Sequence, residues 1–182
     1  MRILKTILIV LSVIIALPLI IALFVKKDFS IEREIVINKP KTEVFNYIKF
    51  LKNQDKFSKW NQLDPAMKKT YTGTDGAVGF IAAWESTEDG VGTGEQEIAA
   101  IKEGERMDMK LRFKEPWEAQ NDAYFITQDA GNNTTKVIWG FKGVSPYPFN
   151  IFGLFMNMDK MIGDDLNIGL ENLKKVLETQ QP

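Results

Sequence analysis

The residues that could do acid–base chemistry in this chain are carboxylates, tyrosines, lysines and arginines, because its sequence contains no His and no Cys. This composition removes the commonest general base, the thiolate nucleophile and the usual zinc ligands. A carboxylate would need burial to raise its pKa toward neutrality before it could act as a general acid. Any enzymatic activity would therefore start from Glu95, Glu97, Tyr124 and Arg33.

Two further patterns resemble functional motifs but lack the geometry that those motifs need. Asp164 and Asp165 are adjacent in a helical pattern, so their side chains diverge by about 100° and are typical of a solvated helix face. The glycine-rich "GVGTGE" leads into a strand rather than a helix N-terminus, and so it lacks the free N–H groups of a phosphate loop. We predict no catalytic residues, no metal site and no cofactor.

The elements that must position these residues follow from the periodicity of the chain. "FSIEREIVI" predicts a strand, and "KPKTEVFNYIKFL" and "QDKFSKWNQLDP" predict two short helices or turns. Strands are then predicted by "MKKTYTG", "VGFIAAWES", "VGTGEQEIAAI", "RMDMKLRFK", "WEAQNDAYFITQ" and "TKVIWGFKG". In "RMDMKLRFK" the apolar residues alternate with charged ones, which indicates an antiparallel sheet with one buried and one wet face.

After "SPYPFN" the apolar period becomes helical. One apolar stripe consists of Phe155, Met158, Ile162, Leu166, Gly169, Leu173 and Leu177. The order of a strand, two short helices, about six strands and one long helix predicts an α+β fold, with a curved antiparallel sheet of about six or seven strands wrapped around a long C-terminal helix.

The first 27 residues form a separate region, residues 1–27, ahead of a domain over residues 28–182. Residues 7–25 are uncharged and span roughly 28 Å as a helix, close to the ~30 Å hydrocarbon core of a bilayer. A signal-peptidase site needs small residues at −3 and −1, and neither Ala16 nor Ala22 fits because Ile14 and Ile20 stand at −3, so we predict an uncleaved single-pass transmembrane anchor. Arg2 and Lys5 favour a cytoplasmic N-terminus, with the domain outside the cytoplasm, which would be the periplasm if the chain is bacterial.

The charge distribution bears on the partners of this domain. Four of the 23 Lys and Arg residues, but none of the 24 Asp and Glu residues, lie within the first 27 residues. The domain is therefore acidic. Because neutralisation of phosphates dominates nucleic-acid affinity, we predict that it does not bind nucleic acid.

Residues 29–178 carry a resemblance to a known family. The matching stretches are "DPAMKKTYTGTDGAVG", Trp84, "GTGEQEI", "MDMKLRF", "KVIWGFKG", "PFNIFGLFMNMDKMIG" and "GLENLKKVLE". Together they resemble the polyketide cyclase/dehydrase branch of the START-like (SRPBCC-type) superfamily, which is often bacterial and often carries an N-terminal membrane segment. The resemblance implies the helix-grip fold, with a cavity between the concave face of the sheet and the long helix. It also implies a hydrophobic ligand such as a lipid, because the superfamily includes hydrophobic-ligand binders, lipid carriers and a minority of enzymes.

The residues that would line such a cavity can be chosen by strand parity and helix face. The predicted ligand-binding residues are Trp84, Gln96, Met107, Met109, Leu111, Phe113, Tyr124, Trp139, Phe141, Phe155 and Met158. Each could instead belong to a filled core. The methionines favour a cavity as a set, because their flexible and polarisable side chains are frequent at adaptable surfaces.

Polar residues near this set could orient a ligand. In "EQEIAAI" the parity predicts that Gln96 points inward and that Glu95 and Glu97 face water. Arg33 shares its parity with two isoleucines, so it is either an inward cation or the sign of a bulge, and Arg112 is a further candidate. Trp60, one helical turn after Phe57, either packs against the sheet or forms a gate over the cavity.

Three functions remain open on the sequence. We expect a membrane-anchored binding module for a hydrophobic or amphipathic small molecule, rather than an enzyme. The first alternative is an enzyme of the polyketide cyclase or dehydratase type, which would use Asp, Glu, Tyr or Arg groups on a hydrophobic substrate. The second is a protein-interaction or stress-response domain, which a completely filled pocket would favour.

Overall fold

The structure, a computed structural model, describes residues 2–88 and 90–179. The helices are α1 (Arg2–Ala22), α2 (Lys41–Ile48), α3 (Lys59–Leu63) and α4 (Met158–Thr179), with 3₁₀ helices at Leu51–Lys56 and Phe149–Leu154. The strands are β1 (Asp28–Ile37), β2 (Lys68–Thr72), β3 (Ile81–Glu85), β4 (Thr93–Lys102), β5 (Arg106–Glu115), β6 (Ala119–Gly131) and β7 (Thr134–Val144). The predicted order of elements is confirmed.

The seven strands form one antiparallel sheet in the order β1-β7-β6-β5-β4-β3-β2. From β2 to β7 each strand pairs with the next one along the chain, as short hairpin connections allow. The β6–β7 hairpin turns at Asn132 and Asn133, whose φ angles of 50° and 56° are ones that Asn tolerates better than most residues. The chain is therefore an α+β protein, as predicted.

The chain divides into two compact units. The first comprises the residues up to Phe29 together with Val144–Met158, and it includes α1 and the second 3₁₀ helix. The second comprises Ser30–Gly143 and the residues from Asp159 onward, and it includes α2, α3, most of the sheet and nearly all of α4.

Helix α4 buries one stripe in the second unit. Its buried residues are Gly163, Leu166, Gly169, Leu170, Leu173 and Leu177. Gly169 is needed because a Cβ at this position would lie 2.5 Å from Cζ3 of Trp139. The predicted stripe extends too far toward the N-terminus, since α4 begins at Met158 and Phe155 lies outside it, in the first unit and 81% exposed.

The core of the second unit lies where the sheet is covered by α2 and by the second half of α4. It contains Val44, Phe45, Ile48, Phe57, Ile98, Met107, Met109, Phe125, Val137, Leu170, Leu173 and Leu177, all at most 2% exposed. Phe57 makes edge contacts with Phe125 and Trp139, at centroid distances of 6.2 and 5.7 Å. Burial of each side chain of this size contributes about 1.5–3 kcal/mol.

Helix α1 is exposed along nearly its whole length, and its last residue, Ala22, is the buried one. Within the described residues it is the one helix that is long and apolar enough to cross a membrane. A signal sequence near an N-terminus would have the same length and composition.

Candidate functional site

A cavity of about 250 Å³ lies within the second unit, between the sheet, α3 and the first half of α4. Strands β2 to β7 all contribute to it, and so does the 3₁₀ helix Leu51–Lys56. The lining side chains are mainly apolar or aromatic, and they include Trp60, Met67, Trp84, Leu111, Phe113, Trp139, Phe141, Ile162 and Leu166. A concave apolar site of this kind, with few polar groups, is typical of small-molecule binding.

Aromatic pairs build two walls of the cavity. Trp84 of β3 meets Phe113 of β5 edge to face, with ring centroids 5.9 Å apart. Gly94 of β4 makes room for this indole, because a Cβ there would lie 2.7 Å from Cζ2 of Trp84. Trp60 of α3 meets Trp139 of β7 in the same manner at 6.1 Å.

A polar cluster of Asp55, Asn61 and Lys69 lies in the lining of the cavity. The Lys69 ammonium is 2.7 Å from Oδ1 of Asp55, and the Asn61 side-chain amide donates to the same oxygen at 2.7 Å. The Lys69 side chain is 19% exposed and that of Asp55 is 35% exposed. Because these groups are only partly solvated, the cluster presents both a cation and an anion to the cavity in a medium of reduced dielectric constant.

Two polar side chains accompany this cluster. Tyr71 of β2 lines the cavity, and burial, followed by the nearby charges of Asp55 and Asp75, raises the pKa of its phenol. Gln96 of β4 points into the cavity as predicted, and its amide nitrogen lies 2.7 Å from the sulfur of Met109.

Six of the predicted ligand-binding residues line this cavity. They are Trp84, Gln96, Leu111, Phe113, Trp139 and Phe141. Met107 and Met109 share the face of Leu111 and Phe113 on β5, but they are 0% and 1% exposed and lie in the packed core outside the lining. The same strand face thus changes from core to cavity between Met109 and Leu111.

Tyr124 lies on the other side of the sheet. Its neighbour Ala123 lines the cavity, so the alternation of β6 directs Tyr124 to the opposite face. There the ring covers Gly140, and its hydroxyl donates to a carboxylate oxygen of Glu32. Burial, followed by the hydrogen bond to Glu32, raises the pKa of Tyr124 to about 12.

The two other predicted residues belong to the first unit. Phe155 follows the second 3₁₀ helix, and Met158 is the first residue of α4. Neither is among the residues that line the cavity, all of which belong to the second unit.

The remaining charged candidates make ion pairs outside the cavity lining. Arg112 bridges Glu95 and Glu97, at 2.6 Å from each. Hydrogen bonds from Arg112 and then Lys114 lower the pKa of Glu95, which is the wrong direction for a general acid at neutral pH.

Arg33 faces inward beneath α4, where Gly163 leaves space for its guanidinium group. It forms a two-pronged pair with Asp159, at 3.1 and 2.9 Å. This hydrogen bonding lowers the pKa of the Asp159 carboxyl. Both partners are therefore engaged with each other rather than with the cavity.

The sequence interpretation missed the polar cluster. One signal could have revealed Lys69, because Met67, just before β2, and Lys69 and Tyr71 within it alternate with Lys68, Thr70 and Thr72. Met67 is buried, which fixes the inward face and places Lys69 and Tyr71 on it. No comparable periodicity exists for Asp55, which lies in a short 3₁₀ helix of six residues. Among the residues that the structure describes, no cluster of three or more His, Cys, Asp or Glu side chains could hold a metal ion.

Comparison with known proteins agrees with this geometry. A family model described as "Polyketide cyclase / dehydrase and lipid transport" matches residues 28–178. No match was found among curated proteins.

Several solved structures share the fold. A truncated norcoclaurine synthase from Thalictrum flavum has a TM-score of 0.64 at 10% identity, covering 86% of this chain and 98% of its own. Ara h 8.0201 has a TM-score of 0.56 at 16% identity, covering 84% of this chain and 99% of its own. Protein MLL2253 from Mesorhizobium loti has a TM-score of 0.59 at 13% identity, covering 85% of this chain and 100% of its own. At these identities the likeness shows a common fold and nothing of the ligand.

Proposed function

Because the chain belongs to the polyketide cyclase/dehydrase and lipid transport family, we propose that it is a membrane-anchored binding module for a hydrophobic or amphipathic small molecule. The observation that carries this proposal is the cavity of about 250 Å³, whose lining is aromatic and aliphatic except for a few polar groups. The ligand occupies this cavity, between the sheet and the first half of α4.

The energetic cost of the cavity supports an occupant. At ~24 cal/mol per Å³, a closed and dry apolar space of about 250 Å³ would cost about 6 kcal/mol, so the space holds either water or a ligand. This cost is comparable with the whole net stability of a typical domain, ~5–15 kcal/mol. A ligand that fills the space recovers the lost contacts and adds its own apolar burial.

The size and polarity of the cavity narrow the class of ligand. Its volume lies just below the ~300–1,000 Å³ of typical ligand sites, so a small ring system or single-chain amphiphile fits it better than a two-chain phospholipid. One charged or polar end of the ligand faces Lys69, Asp55 and Asn61, and Gln96 offers a further hydrogen bond.

The proposed apolar contacts come from both sequence and structure. We propose Trp84, Leu111, Phe113, Trp139 and Phe141 as apolar contacts, because the sequence suggested them and they line the cavity. Trp60 completes the lining from α3. Met107, Met109 and Tyr124 are not included, because they lie in the packed core or on the opposite face of the sheet.

The anchor is α1 with the residues that follow it. Residues 7–25 cross the bilayer, and Arg2 and Lys5 hold the N-terminus in the cytoplasm, which places the binding domain outside the cytoplasm. A tether of this kind keeps the binding domain close to a source of hydrophobic ligand.

Tryptophan fluorescence tests the binding function directly. Three of the four Trp residues, Trp60, Trp84 and Trp139, line the cavity, whereas Trp117 is 81% exposed outside it. Titration of the full chain in detergent micelles with single-chain fatty acids, isoprenoids and aromatic acids should give saturable shifts with at least one class. The same titration of Trp117→Phe should give the same shift. No response to any of these compounds would count against the proposal.

A second candidate function is supported by the acidic, basic and phenolic groups that open into the cavity. Asp55, Lys69 and Tyr71 could serve as acid–base groups on a hydrophobic substrate in a cyclase or dehydratase reaction. Mass spectrometry of a ligand after incubation with the protein distinguishes the two functions. A binding module returns the ligand unchanged, whereas an enzyme alters its mass or connectivity, and Asp55→Asn abolishes that change.

A further inference from the structure

The segment 144–158, which we call the uncharged segment, contains no Asp, Glu, Lys or Arg in a chain where 26% of the residues are charged. It nevertheless lies at the surface of the first unit. Its exposed large apolar or aromatic side chains are Val144, Tyr147, Phe149, Phe152, Leu154, Phe155 and Met156. A continuous exposed apolar patch of this kind marks an interaction site in a folded protein.

This segment is fastened to the end of α1 by a buried side chain. Asn150 is 1% exposed, and its amide nitrogen donates to the carbonyl oxygens of Ala22 and Val25, at 2.7 and 2.8 Å. The Ser145 backbone N–H adds a bond to the carbonyl of Lys27, at 2.8 Å. The carbonyl of Ala22, the last residue of α1, has no intrahelical partner, so Asn150 caps the helix there and, through Val25, also ties the residues that follow it to the uncharged segment.

The segment presents one ordered aromatic face. Phe149 and Phe152 are three residues apart on a 3₁₀ helix, a spacing that places both side chains on the same side. Their rings stack with centroids 6.5 Å apart and an angle of 14° between their planes. Leu23 and Phe24, the residues just after α1, are also exposed, at 64% and 86%.

We propose that the uncharged segment is a membrane-interface element, whose aromatic and aliphatic side chains lie in the headgroup and acyl boundary of the bilayer that α1 spans. This inference rests on the membrane anchoring proposed above. A bilayer is favoured as the occupant because the uncharged segment contacts α1 and is fixed by Asn150 at the point where that apolar helix ends. Aromatic residues without charges suit this depth, and Lys26 and Lys27 can reach the headgroup phosphates from the same unit.

The absence of Cys from the sequence allows a direct test with single fluorescent labels. The full chain is reconstituted into phosphatidylcholine vesicles with an environment-sensitive dye on Phe152→Cys or Phe155→Cys. Leu11→Cys in α1 reports the anchor, and Gln128→Cys, an exposed position of β6 in the second unit, reports a site in water. Aqueous iodide and nitroxide-labelled phosphatidylcholine serve as quenchers.

The expected result is several-fold weaker iodide quenching at positions 152 and 155 than at 128, together with strong quenching by the nitroxide lipid. Iodide access at 152 and 155 equal to that at 128, with position 11 still in lipid, would overturn the interface element and leave the anchor intact. Protection from both quenchers would show a protein surface over the patch and would also overturn it. Iodide access at position 11 would refute the anchor and this inference together.

Asn150→Asp tests the fastening to α1. The variant keeps the shape of the side chain but replaces its two N–H donors with a carboxylate that faces two carbonyl oxygens. The label at position 152 should become several-fold more accessible to iodide while the label at position 11 stays in lipid. An unchanged label at 152 would overturn the role of Asn150 in positioning the segment.

Discussion

Two halves of one sheet face differ in what covers them. On β5, Met107 and Met109 are fully buried against the core, whereas Leu111 and Phe113 line a cavity. The alternation of side chains is the same throughout the strand, so the sheet itself does not create the difference. The difference comes from the helices that cover the sheet. Over Met107 and Met109, α2 and the leucines of the second half of α4 fill the space, and we call this the packed half. Over Leu111 and Phe113, α3 and the first half of α4 leave a cavity, and we call this the hollow half.

The packed half accounts for stability, and the hollow half is where binding is proposed. The packed half has side chains that are at most a few per cent exposed and that interdigitate. The hollow half has aromatic walls and a polar cluster in which Lys69 and Asn61 both contact Asp55 and the side chains stay partly exposed. Substitutions in the packed half should therefore change mainly the free energy of unfolding, and those in the hollow half mainly ligand affinity.

The largest expected effect is the loss of stability when Phe57 is truncated, and truncation of Trp60, three residues later, should instead weaken ligand binding. Phe57 is 0% exposed and contacts Phe125 and Trp139, so Phe57→Ala should lower the free energy of unfolding by about 3–5 kcal/mol. Trp60→Ala removes a half-buried cavity wall and should cost about 1 kcal/mol or less of stability while weakening ligand binding at least tenfold, by roughly 1.4 kcal/mol. Urea unfolding and ligand titration measure the two quantities. Equal losses of stability would show that Trp60 is packing rather than a wall of the site.

The next effect compares two glycines of α4. Gly169→Ala brings a Cβ to 2.5 Å from the rigid, buried indole of Trp139, and overpacking of this kind costs about 1–3 kcal/mol of stability. Gly163→Ala instead meets the movable end of Arg33, so a gain in helix propensity of up to about 1 kcal/mol offsets the weakened pair with Asp159. Thermal unfolding should therefore show a clear loss for the first variant and little change for the second. Equal melting temperatures of the two variants would contradict the claim that the Trp139 indole cannot move away from a Cβ at position 169.

Enlarging a buried side chain usually destabilises a protein, but in the hollow half it should leave stability nearly unchanged and lower ligand affinity instead. Ala123 is 4% exposed and lines the cavity, so Ala123→Leu should be accepted with a change in stability within about 1 kcal/mol. The added atoms occupy the ligand space, and affinity should fall about tenfold or more, roughly 1.4 kcal/mol. Fluorescence titration measures the affinity and urea unfolding the stability. Unchanged affinity would place the ligand elsewhere.

The smallest expected effect concerns the polar end of the cavity. Lys69→Met keeps an unbranched side chain but removes the ammonium beside Asp55. The affinity for an anionic amphiphile should fall by about 1 kcal/mol, roughly fivefold, while that for a neutral analogue should change little. Lys68→Met, on the neighbouring solvent-facing residue, is the matched control and should alter neither. A loss for both ligands would point to a structural role for the pair.

The sequence alone predicts most of the fold. Of the predicted binding residues, about half line the cavity. Strong alternation in β5 and the helical stripe of α4 specify which faces are buried. The boundary between Met109 and Leu111 was not predictable, because burial there depends on helices that are distant in sequence. Tyr124 and Phe125 are adjacent in β6, so one of them must face away, and only the packing of Phe125 against Phe57 decides which.

The polar cluster was missed for the same physical reason. Asp55 and Lys69 are 14 residues apart, and their ion pair forms only when the 3₁₀ helix docks beside β2. Trp60 was also undecidable from sequence, since a three-residue spacing to Phe57 indicates a shared side of a helix but not the depth of each ring. In the structure Phe57 lies in the core and Trp60 reaches the cavity.

Native mass spectrometry of the detergent-extracted full chain tests the central claim most directly, because it detects a bound small molecule without a prior choice of ligand. We predict a discrete mass adduct, or saturable uptake from a panel of single-chain lipids and aromatic acids, that Ala123→Leu weakens about tenfold or more and the surface variant Lys68→Met retains. A wild-type chain that is free of ligand, takes up no member of the panel and shows unmoved tryptophan fluorescence would contradict the proposal that the hollow half of the sheet is a binding site.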